Sequence, residues 1–560
     1  MRYLITSATP YINGIKHLGN LAGSLLPADV YARFLRQEGH EVLFISATDE
    51  HGTPAELAAK KRGQQPEEYC LTMHNVQKKI YEKFSLSFDY LGRSSASANH
   101  KLTQDFYCKL DAAGLLEEQE IKQVYALEDE RFLADRYIEG TCPRCGYEAA
   151  RGDQCENCTA LLDPIELINP RSALSGSTKL EIKTTKHLFF HIEKLSDRLR
   201  SWITAKTDWP TLTTSIALKW LDEGLHARCI TRDLQWGVKV PRPGFEEKVF
   251  YVWFDAPVVY IAATKEWANL APKIRDFKSW WFKTEDVVYT QFMAKDNVPF
   301  HTILWPAMIF GTNQPWLQAT MIKSFNWLTY YGGKFSTSQK RGIFMDQALE
   351  LLPADYWRYF LIAQLPEDRD TSFTWETFAT IVNKDLVGMF GNFVNRVLCL
   401  IKAKFGDVIP AGGKEGDQER ELFEACERCL IEYKEALYQL KYRVAISRLR
   451  KLWSLGNQYL DQAAPWTLLH QDRDAAAMVL RVAVNLVRLY ALTALPLVPN
   501  AANAILLALK IKQESLRFEQ GKLLSYLKAG HAFTVPNLLF RRITPQEIAE
   551  WEVKFGAFKS

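Results

Sequence analysis

A chain of 560 residues, 47% hydrophobic and 24% charged, is too long for a single core and has the balance of a soluble globular protein of three or four compact units. No basic segment leads into an apolar run at the start, so no signal peptide is predicted, and Arg481, Asn485 and Arg488 break the most apolar stretch, 475–498, against a membrane span. A cytoplasmic protein without a membrane partner is expected. The net charge of +4 averages unlike parts: residues from 386 onward carry 24 Lys and Arg against 17 Asp and Glu, or +7, which leaves −3 for residues 1–385. The C-terminal part is the one suited to a polyanion.

In chain order, residues 3–6 form a short run of β-formers that must end before Pro10, with Asn13-Gly14 turning the chain. His17-Leu-Gly-Asn20 then stands at the start of a helix, where free backbone N–H groups and the dipole favour an anion and Gly19 lets it approach. Leu21, Leu25, Ala28, Ala32 and Leu35 continue at helical spacing to a cap at Gly39, while Pro27 predicts a kink or a late helix start. A second buried strand is read at 41–46, with Thr48-Asp-Glu-His-Gly52 just beyond its C-terminal end. Parallel α/β sheets bind ligands outside those ends, so the two polar clusters are expected to converge.

Residues 116–222 break the rhythm and hold Cys142-Pro-Arg-Cys145 and Cys155-Glu-Asn-Cys158, with Gly146 and Gly152 in turns. Two chelating thiolate pairs suit a closed, structural, tetrahedral Zn²⁺ site. Strand-like runs return at 249–254 and 287–292, as the second half of one split sheet. Helix signals dominate from 386 onward, and 406–417 reads as the longest loop. Cys426 and Cys429 repeat the spacing of a chelating pair, yet they lie on one stripe with Leu422, Tyr433, Ala436 and Leu440, which makes them core residues. Arg443, Arg448, Arg450 and Lys451 offer a basic helix face.

His17-Leu-Gly-Asn20 and Lys334-Phe-Ser-Thr-Ser338, the latter after Gly332-Gly333, resemble the paired HIGH and KMSKS signatures of class I aminoacyl-tRNA synthetases. Ala8-Thr-Pro-Tyr-Ile-Asn-Gly14, Asp49-Glu-His-Gly-Thr-Pro54 and Phe254-Asp-Ala-Pro257 are similar to methionyl-tRNA synthetase, and the likeness runs past residue 550. The resemblance implies an α/β fold: a split Rossmann-type parallel sheet with a zinc-knuckle insertion, followed by an α-helical anticodon-binding bundle. The implied units are 1–115 and 226–325 for the two catalytic halves and 116–225 for the insertion. A linking segment at 326–385 carries the KFSTS loop, 386–535 is the anticodon domain, and 536–560 folds back on the body. No appended C-terminal tRNA-binding domain is expected, and the molecule is expected to be a monomer.

It also implies a methionine–tRNA ligase that forms methionyl-adenylate from methionine and ATP, with Mg²⁺, and charges initiator and elongator tRNAs. His17, Asn20, Lys334, Thr337 and Lys340 would serve catalysis, and His17, Gly19, Asn20, Lys334 and Thr337 would hold ATP. Ala8, Thr9, Tyr11, Asp49, Trp253, Ala256, Pro257, Tyr260 and His301 match the methionine pocket, with Asp49 on the ammonium. Arg232 matches a conformational arginine, and Asn392, Arg396 and Trp466 match anticodon-reading positions. Asn20 replaces the family's usual histidine. Thr337 replaces a lysine, for which Lys340 or Arg341 is expected to compensate.

Overall fold

The computed structural model describes all residues except 153, 154, 156, 159, 161, 283, 338–340, 512–522 and 557–560. At its centre is a five-stranded, all-parallel sheet of β1 (Arg2–Ser7), β2 (Glu41–Thr48), β3 (Tyr90–Arg93), β4 (Val287–Ala294) and β5 (Met321–Phe325), in the order β5-β4-β1-β2-β3. The chain winds one way from β1 to β3 and the other way from β4 to β5. The crevice between β1 and β4 is therefore the topological switch point. Side chains of β1 alternate between two cores: Tyr3 and Ile5 face the helical run 18–37, while Leu4 faces the helix Val259–Asn269. Both faces are covered, so successive residues of the inner strands are buried whichever way they point, polar ones such as Thr6, Ser46 and Gln291 included.

Pro27 is accommodated by a widened turn rather than a break. Residues Leu21–Leu25 are π-helical, and the α-helix Leu26–Gln37 follows without interruption. Gly39 takes φ +88° just after the helix, the left-handed geometry expected of its cap.

The segment between β3 and β4 opens into a long antiparallel ribbon, Leu116–Ala126 against Leu180–Phe190, with a smaller sheet of Ile138–Thr141, Ala150–Arg151 and Ile168–Ser172 beyond it. The expected strand at 249–254 is mostly absent. Val249–Phe250 pairs briefly with Thr231–Arg232, and Val252–Asp255 is already a helical turn. A short apolar run buried on all sides does not distinguish strand from helix, and here tertiary packing chose.

After β5, a hairpin of Leu328–Tyr330 and Gly333–Lys334 leads to the helix Ala354–Ala363 and then to the helical part. Its helices include Asn392–Phe405, Asp417–Tyr438, Tyr442–Ala463 and Arg473–Ala494, with 406–416 as the loop. Cys426 and Cys429 are buried in the bundle. Among the described residues, two helical stretches, Trp375–Phe405 and Arg473–Ala494, are long and apolar enough to cross a membrane by length and composition. The second is the core helix of the bundle. Its Asn485 exchanges hydrogen bonds with the Leu527 backbone at 3.0 and 2.8 Å, and Arg488 stacks 3.8 Å over Tyr526. The last helix, Pro545–Phe555, places Trp551 4.9 Å from Trp375 and Glu552 at 3.0 Å from the Tyr331 hydroxyl.

Arg358, fully buried, ties these parts together. It donates to Leu497 O (2.9 Å), Pro496 O (2.8 Å), Phe84 O (3.0 Å), Ser85 O (3.4 Å) and Asp29 Oδ2 (2.8 Å). Asp29 in turn accepts from Arg33 at 2.9 Å and from the Ser87 N–H and hydroxyl at 2.6 Å. Burial raises the Asp29 pKa, but Arg33, Arg358 and Ser87 outweigh it and hold the carboxyl below its usual value. That carboxylate stabilises the fold above the ordinary carboxylate range, and the contribution disappears as pH falls through its lowered value. Arg358→Met is expected to cost about 3 to 5 kcal/mol, because it strands a buried charge. Urea unfolding followed by tryptophan fluorescence measures the loss, and Asp29→Asn should flatten the acid limb of stability.

Candidate active site and metal centre

The first loop leaves β1 at the switch point and is clamped on both sides. Ile12 N donates to Asp49 O (2.9 Å) and Asp49 N to Pro10 O (3.0 Å), while Leu18 N donates to Ile343 O (3.0 Å) and Met345 N to Lys16 O (2.9 Å). His17 caps the helix that follows. Its Nδ1 accepts from Asn20 N at 3.2 Å, and Asn20 Oδ1 accepts from His17 N at 3.3 Å. Burial, then the neighbouring Lys16 and Lys334, push the His17 pKa down to about 3. A neutral ring with Nδ1 accepting must carry its proton on Nε2, so His17 presents a hydrogen-bond donor without a charge. A Cβ on Gly19 would lie 3.0 Å from the His17 ring, so a larger residue there would press the ring out of place.

Across the crevice, Phe335 lies 5.0 Å from the His17 ring, and Thr337 Cγ2 lies 3.5 Å from where a Cβ would stand on Gly14. The 334–337 segment is thus docked onto the first loop. Between them is a cavity of about 170 Å³, lined by Ala8, Thr9, His17, Gly19, Asn20 and Lys334, among others. Lys334 stacks 4.1 Å over Trp327, and Lys295, bonded to Asp370 at 2.8 Å, covers the same indole at 4.2 Å. Lys340 lies outside the described residues. Arg341 is not among the residues lining this cavity: its guanidinium lies against Gly333, and its backbone pairs with Ser336 at 2.9 and 3.1 Å.

The second polar cluster meets the first through aromatic rings. Tyr11 bridges to Asp49 through the backbone and lies 6.0 Å from Trp253, which stacks on Phe300 at 3.6 Å and 7°. The Tyr260 hydroxyl is 3.2 Å from His301 Nε2, and His301 Nδ1 is 3.1 Å from Asn297 O. Burial lowers the His301 pKa to about 4. Neutral His301 therefore donates from Nδ1 and accepts the Tyr260 proton at Nε2. Ala256 and Pro257 are buried in the turn that carries Trp253.

Asp49 is buried with Oδ1 unpartnered. Burial, Asp255 and Glu50 raise its pKa well above the usual carboxylate value. Such an oxygen is built to meet a cation. Behind it, Asp255 Oδ2 lies 2.8 Å from His51 Nδ1, and Glu50 binds Arg93 at 2.8 Å.

Arg232 lies apart from the phosphate cavity. It stacks 3.8 Å over Tyr251, donates to Thr231 O at 2.9 Å, and lines a separate 530 Å³ cavity with Trp253 and Phe300. Phe300 and Trp327 were not singled out in the sequence, although one adjoins His301 and the other follows β5. In the helical part, Arg396 stacks 5.1 Å from Trp466 and binds Asp461 at 3.0 Å, with the exposed Asn392 one turn earlier. Ala464 at φ +41° turns the chain there and leaves Trp466 41% exposed. Two residues of the expected basic face are paired within the chain: Arg450 binds the buried Asp385 at 2.6 Å and Arg448 binds the exposed Glu432 at 2.8 Å.

The four cysteines of the insertion form one cluster, with all sulfurs within 4.8 Å of one another. Cys142 and Cys158 are 3.9 Å apart and Cys145 and Cys155 3.7 Å apart, close to the ~3.8 Å edge of a tetrahedron with Zn–S of about 2.3 Å. Cys142 N donates to Tyr147 O (2.8 Å) and Cys155 N to Ala160 O (2.9 Å), and Gly146 takes φ +73°. The donor set and its spacing fit a closed structural zinc.

The family described as tRNA synthetases class I (M) matches residues 3–398, the span that holds the whole parallel sheet and its insertion. The fold and its switch-point site are therefore those of a class I tRNA synthetase. The family described as the anticodon binding domain of methionyl tRNA ligase matches 409–560. The chain is 56% identical to methionine–tRNA ligase 1 of Acaryochloris marina, covering 99% of this chain and 100% of that one. It is 54% identical to the methionine–tRNA ligase of Streptomyces avermitilis, over 99% of both. With this identity over its length, the chain belongs to the methionine–tRNA ligase family. A crystallographic relative, the Mycobacterium tuberculosis methionyl-tRNA synthetase in complex with methionyl-adenylate, shares the fold at TM-score 0.78 and 23% identity, over 97% of this chain and 100% of that one.

One zinc per chain is expected by elemental analysis of the purified protein. Chelation should lower the melting temperature, and Cys142→Ser should do the same without added chelator.

Proposed function

We propose that the chain is a methionine–tRNA ligase: it joins L-methionine to ATP as methionyl-adenylate, releasing pyrophosphate, and transfers methionine to the terminal adenosine of tRNA. The observation that carries the site reading is the unpartnered, buried Oδ1 of Asp49, set beside the Tyr11–Trp253 pair. A carboxylate in an apolar, aromatic surround selects an α-amino acid with an unbranched, polarizable side chain. Ala8, Thr9, Ala256, Pro257, Tyr260 and His301 complete the pocket in this reading, and Arg232 adjusts its far wall.

Adenylate formation is an in-line attack by the methionine carboxylate oxygen on the α-phosphorus. The Pα–O–Pβ bond breaks and pyrophosphate leaves with the electron pair. The protein's task is to align the reactants and to stabilise charge that grows on the phosphates. His17 Nε2–H and the Asn20 NH₂ donate to phosphate oxygens, Gly19 lets the nucleotide approach, and Lys334 and the Thr337 hydroxyl close over it. Mg²⁺ accompanies ATP and supplies further neutralisation. Zinc supports the insertion and takes no part in the chemistry.

Arg396 and Trp466 would stack bases of an anticodon, with Asn392 bonding an edge, for both initiator and elongator tRNAs. The reading includes a cytoplasmic monomer and units divided at 115, 225, 325, 385 and 535. The parallel strands fall within 2–93 and 287–325, which is consistent with that division.

Methionine-dependent ATP–pyrophosphate exchange by the purified chain, without tRNA, is the expected activity. No exchange with any amino acid, from folded and zinc-loaded protein, would leave a tRNA-binding relative without catalysis. Asp49→Asn should raise the KM for methionine ~10- to 100-fold, as expected for a charged hydrogen bond of about 1.5 to 3 kcal/mol. Because burial, with Asp255 and Glu50, holds Asp49 well above the usual range, methionine affinity should fall on acidification at a higher pH than an ordinary carboxylate dictates. Asp49→Asn should remove that dependence, which calorimetric titration of methionine would reveal.

A further inference from the structure

Among the described residues, the phosphate end of the site is short of positive charge. Among the described residues lining its cavity, Lys334 is the one cation, and the histidine beside it is neutral. Lys295 is bonded to Asp370, and position 337 offers a hydroxyl and a methyl. A departing pyrophosphate gathers several negative charges, so a site of this kind needs another cation within reach.

Lys16 stands where such a cation would be useful. It follows the Asn13-Gly14 turn on which Thr337 is docked, and it immediately precedes His17. Its side chain is 4% exposed, and Nζ makes one hydrogen bond, to Asn13 Oδ1 at 2.9 Å. The backbone is fixed at both ends, with its N–H on Gln77 Oε1 at 3.0 Å and its C=O accepting from Met345 N at 2.9 Å. Its charge reaches His17 on one side and Asp49 on the other. Burial pushes its pKa down to about 7, and Asp49 opposes the shift. An ammonium held this deeply with a single neutral partner costs several kcal/mol, and a polyanion arriving at His17 would remove that cost.

We propose that Lys16 is the second cation of the polyphosphate site, reaching past His17 to the β- and γ-phosphates and stabilising pyrophosphate as it leaves, in place of a lysine at 337. The proposal rests on the ATP-dependent activation described above. With the phosphates bound Lys16 is an ammonium, so it binds charge and takes no part in proton transfer.

Two measurements test it on the full chain: calorimetric binding of magnesium pyrophosphate, which needs no methionine, and methionine-dependent exchange with KM and kcat separated. Lys16→Met is expected to weaken pyrophosphate binding at least ~10-fold and to lower exchange kcat ~100-fold, the scale of one lost charge-stabilising donor. Methionine affinity should stay within ~2-fold. Lys16→Arg should retain pyrophosphate binding, and adding Thr337→Lys to Lys16→Met should recover at least ~10-fold in kcat, which a merely structural role for Lys16 would not allow. The idea is overturned if a folded Lys16→Met chain binds pyrophosphate and exchanges normally, if only methionine affinity suffers, or if Thr337→Lys restores nothing. Should Lys16→Met fail to give a cooperative melt, Lys16→Gln takes its place under the same criteria. Wild-type protein that binds pyrophosphate through Lys16 yet exchanges with no amino acid would sink the activation reading while leaving the phosphate site standing.

Discussion

A buried guanidinium is central to the tie between the catalytic sheet and the helical bundle, beside hydrogen bonds from Tyr442 to Pro27 O (2.8 Å) and from Gln37 to Leu492 O (3.0 Å). Arg358 spends its N–H donors on the carbonyls of residues 84, 85, 496 and 497 and on the carboxylate of Asp29. Those acceptors come from the end of the helix before β3, from the turn after the bundle's core helix, and from the helix that begins at His17. An arginine without solvent must satisfy its donors in the protein, and a planar fork can do so only if every acceptor is in place. Displacing any one segment leaves a buried polar group unpaired. The same helix thus carries the phosphate-facing residues at its start and the interdomain tie near its middle, so the two halves of the molecule share one rigid element.

The active site repeats this economy of charge. His17 and His301 are both neutral, and each is committed to one tautomer by a hydrogen bond to the ring nitrogen that does not face its functional partner. His17, as a neutral donor, orients a polyanion without trapping it. Charge is kept for places where it must be matched: Asp49 with an unsatisfied oxygen at one end, Lys334 at the other, and Lys16 buried between His17 and Asp49. Burial makes each of these unfavourable in isolation, and a substrate that is cationic at its amine and anionic at its phosphates suits both ends. Aromatic contacts, Tyr11 on Trp253 and Phe335 on His17, join the two ends without adding charge.

Much of this was legible in the sequence because it depends on local signals. The strand at the start, the loop with Asn13-Gly14, the helix at His17 and the cap at Gly39 follow from spacing and from residues with fixed conformational preferences. The cysteine cluster was legible for the same reason, since metal chelation constrains spacing. The run at 249–254 was misread as a strand because an apolar hexapeptide is ambiguous without its neighbours. The basic face of the helix Tyr442–Ala463 is partly spent within the fold, and nothing local shows that Arg450 turns inward to Asp385. Phe300 and Trp327 look like ordinary core aromatics until the fold brings Trp253 and two lysines onto their faces.

By itself, the sequence determined which residues could do chemistry: a histidine and glycine at a helix start, a carboxylate beyond a strand, four thiolates in two pairs, and a loop of small and cationic residues. It also determined the alternation of α and β that makes a parallel sheet, because periodicity and turn residues act over a few positions. Only the tertiary structure decided which of those residues face one another and in what state of charge. The neutrality of His17, the unmatched oxygen of Asp49 and the burial of Lys16 arise from desolvation and from charges distant in sequence, and these exist only once the chain has folded.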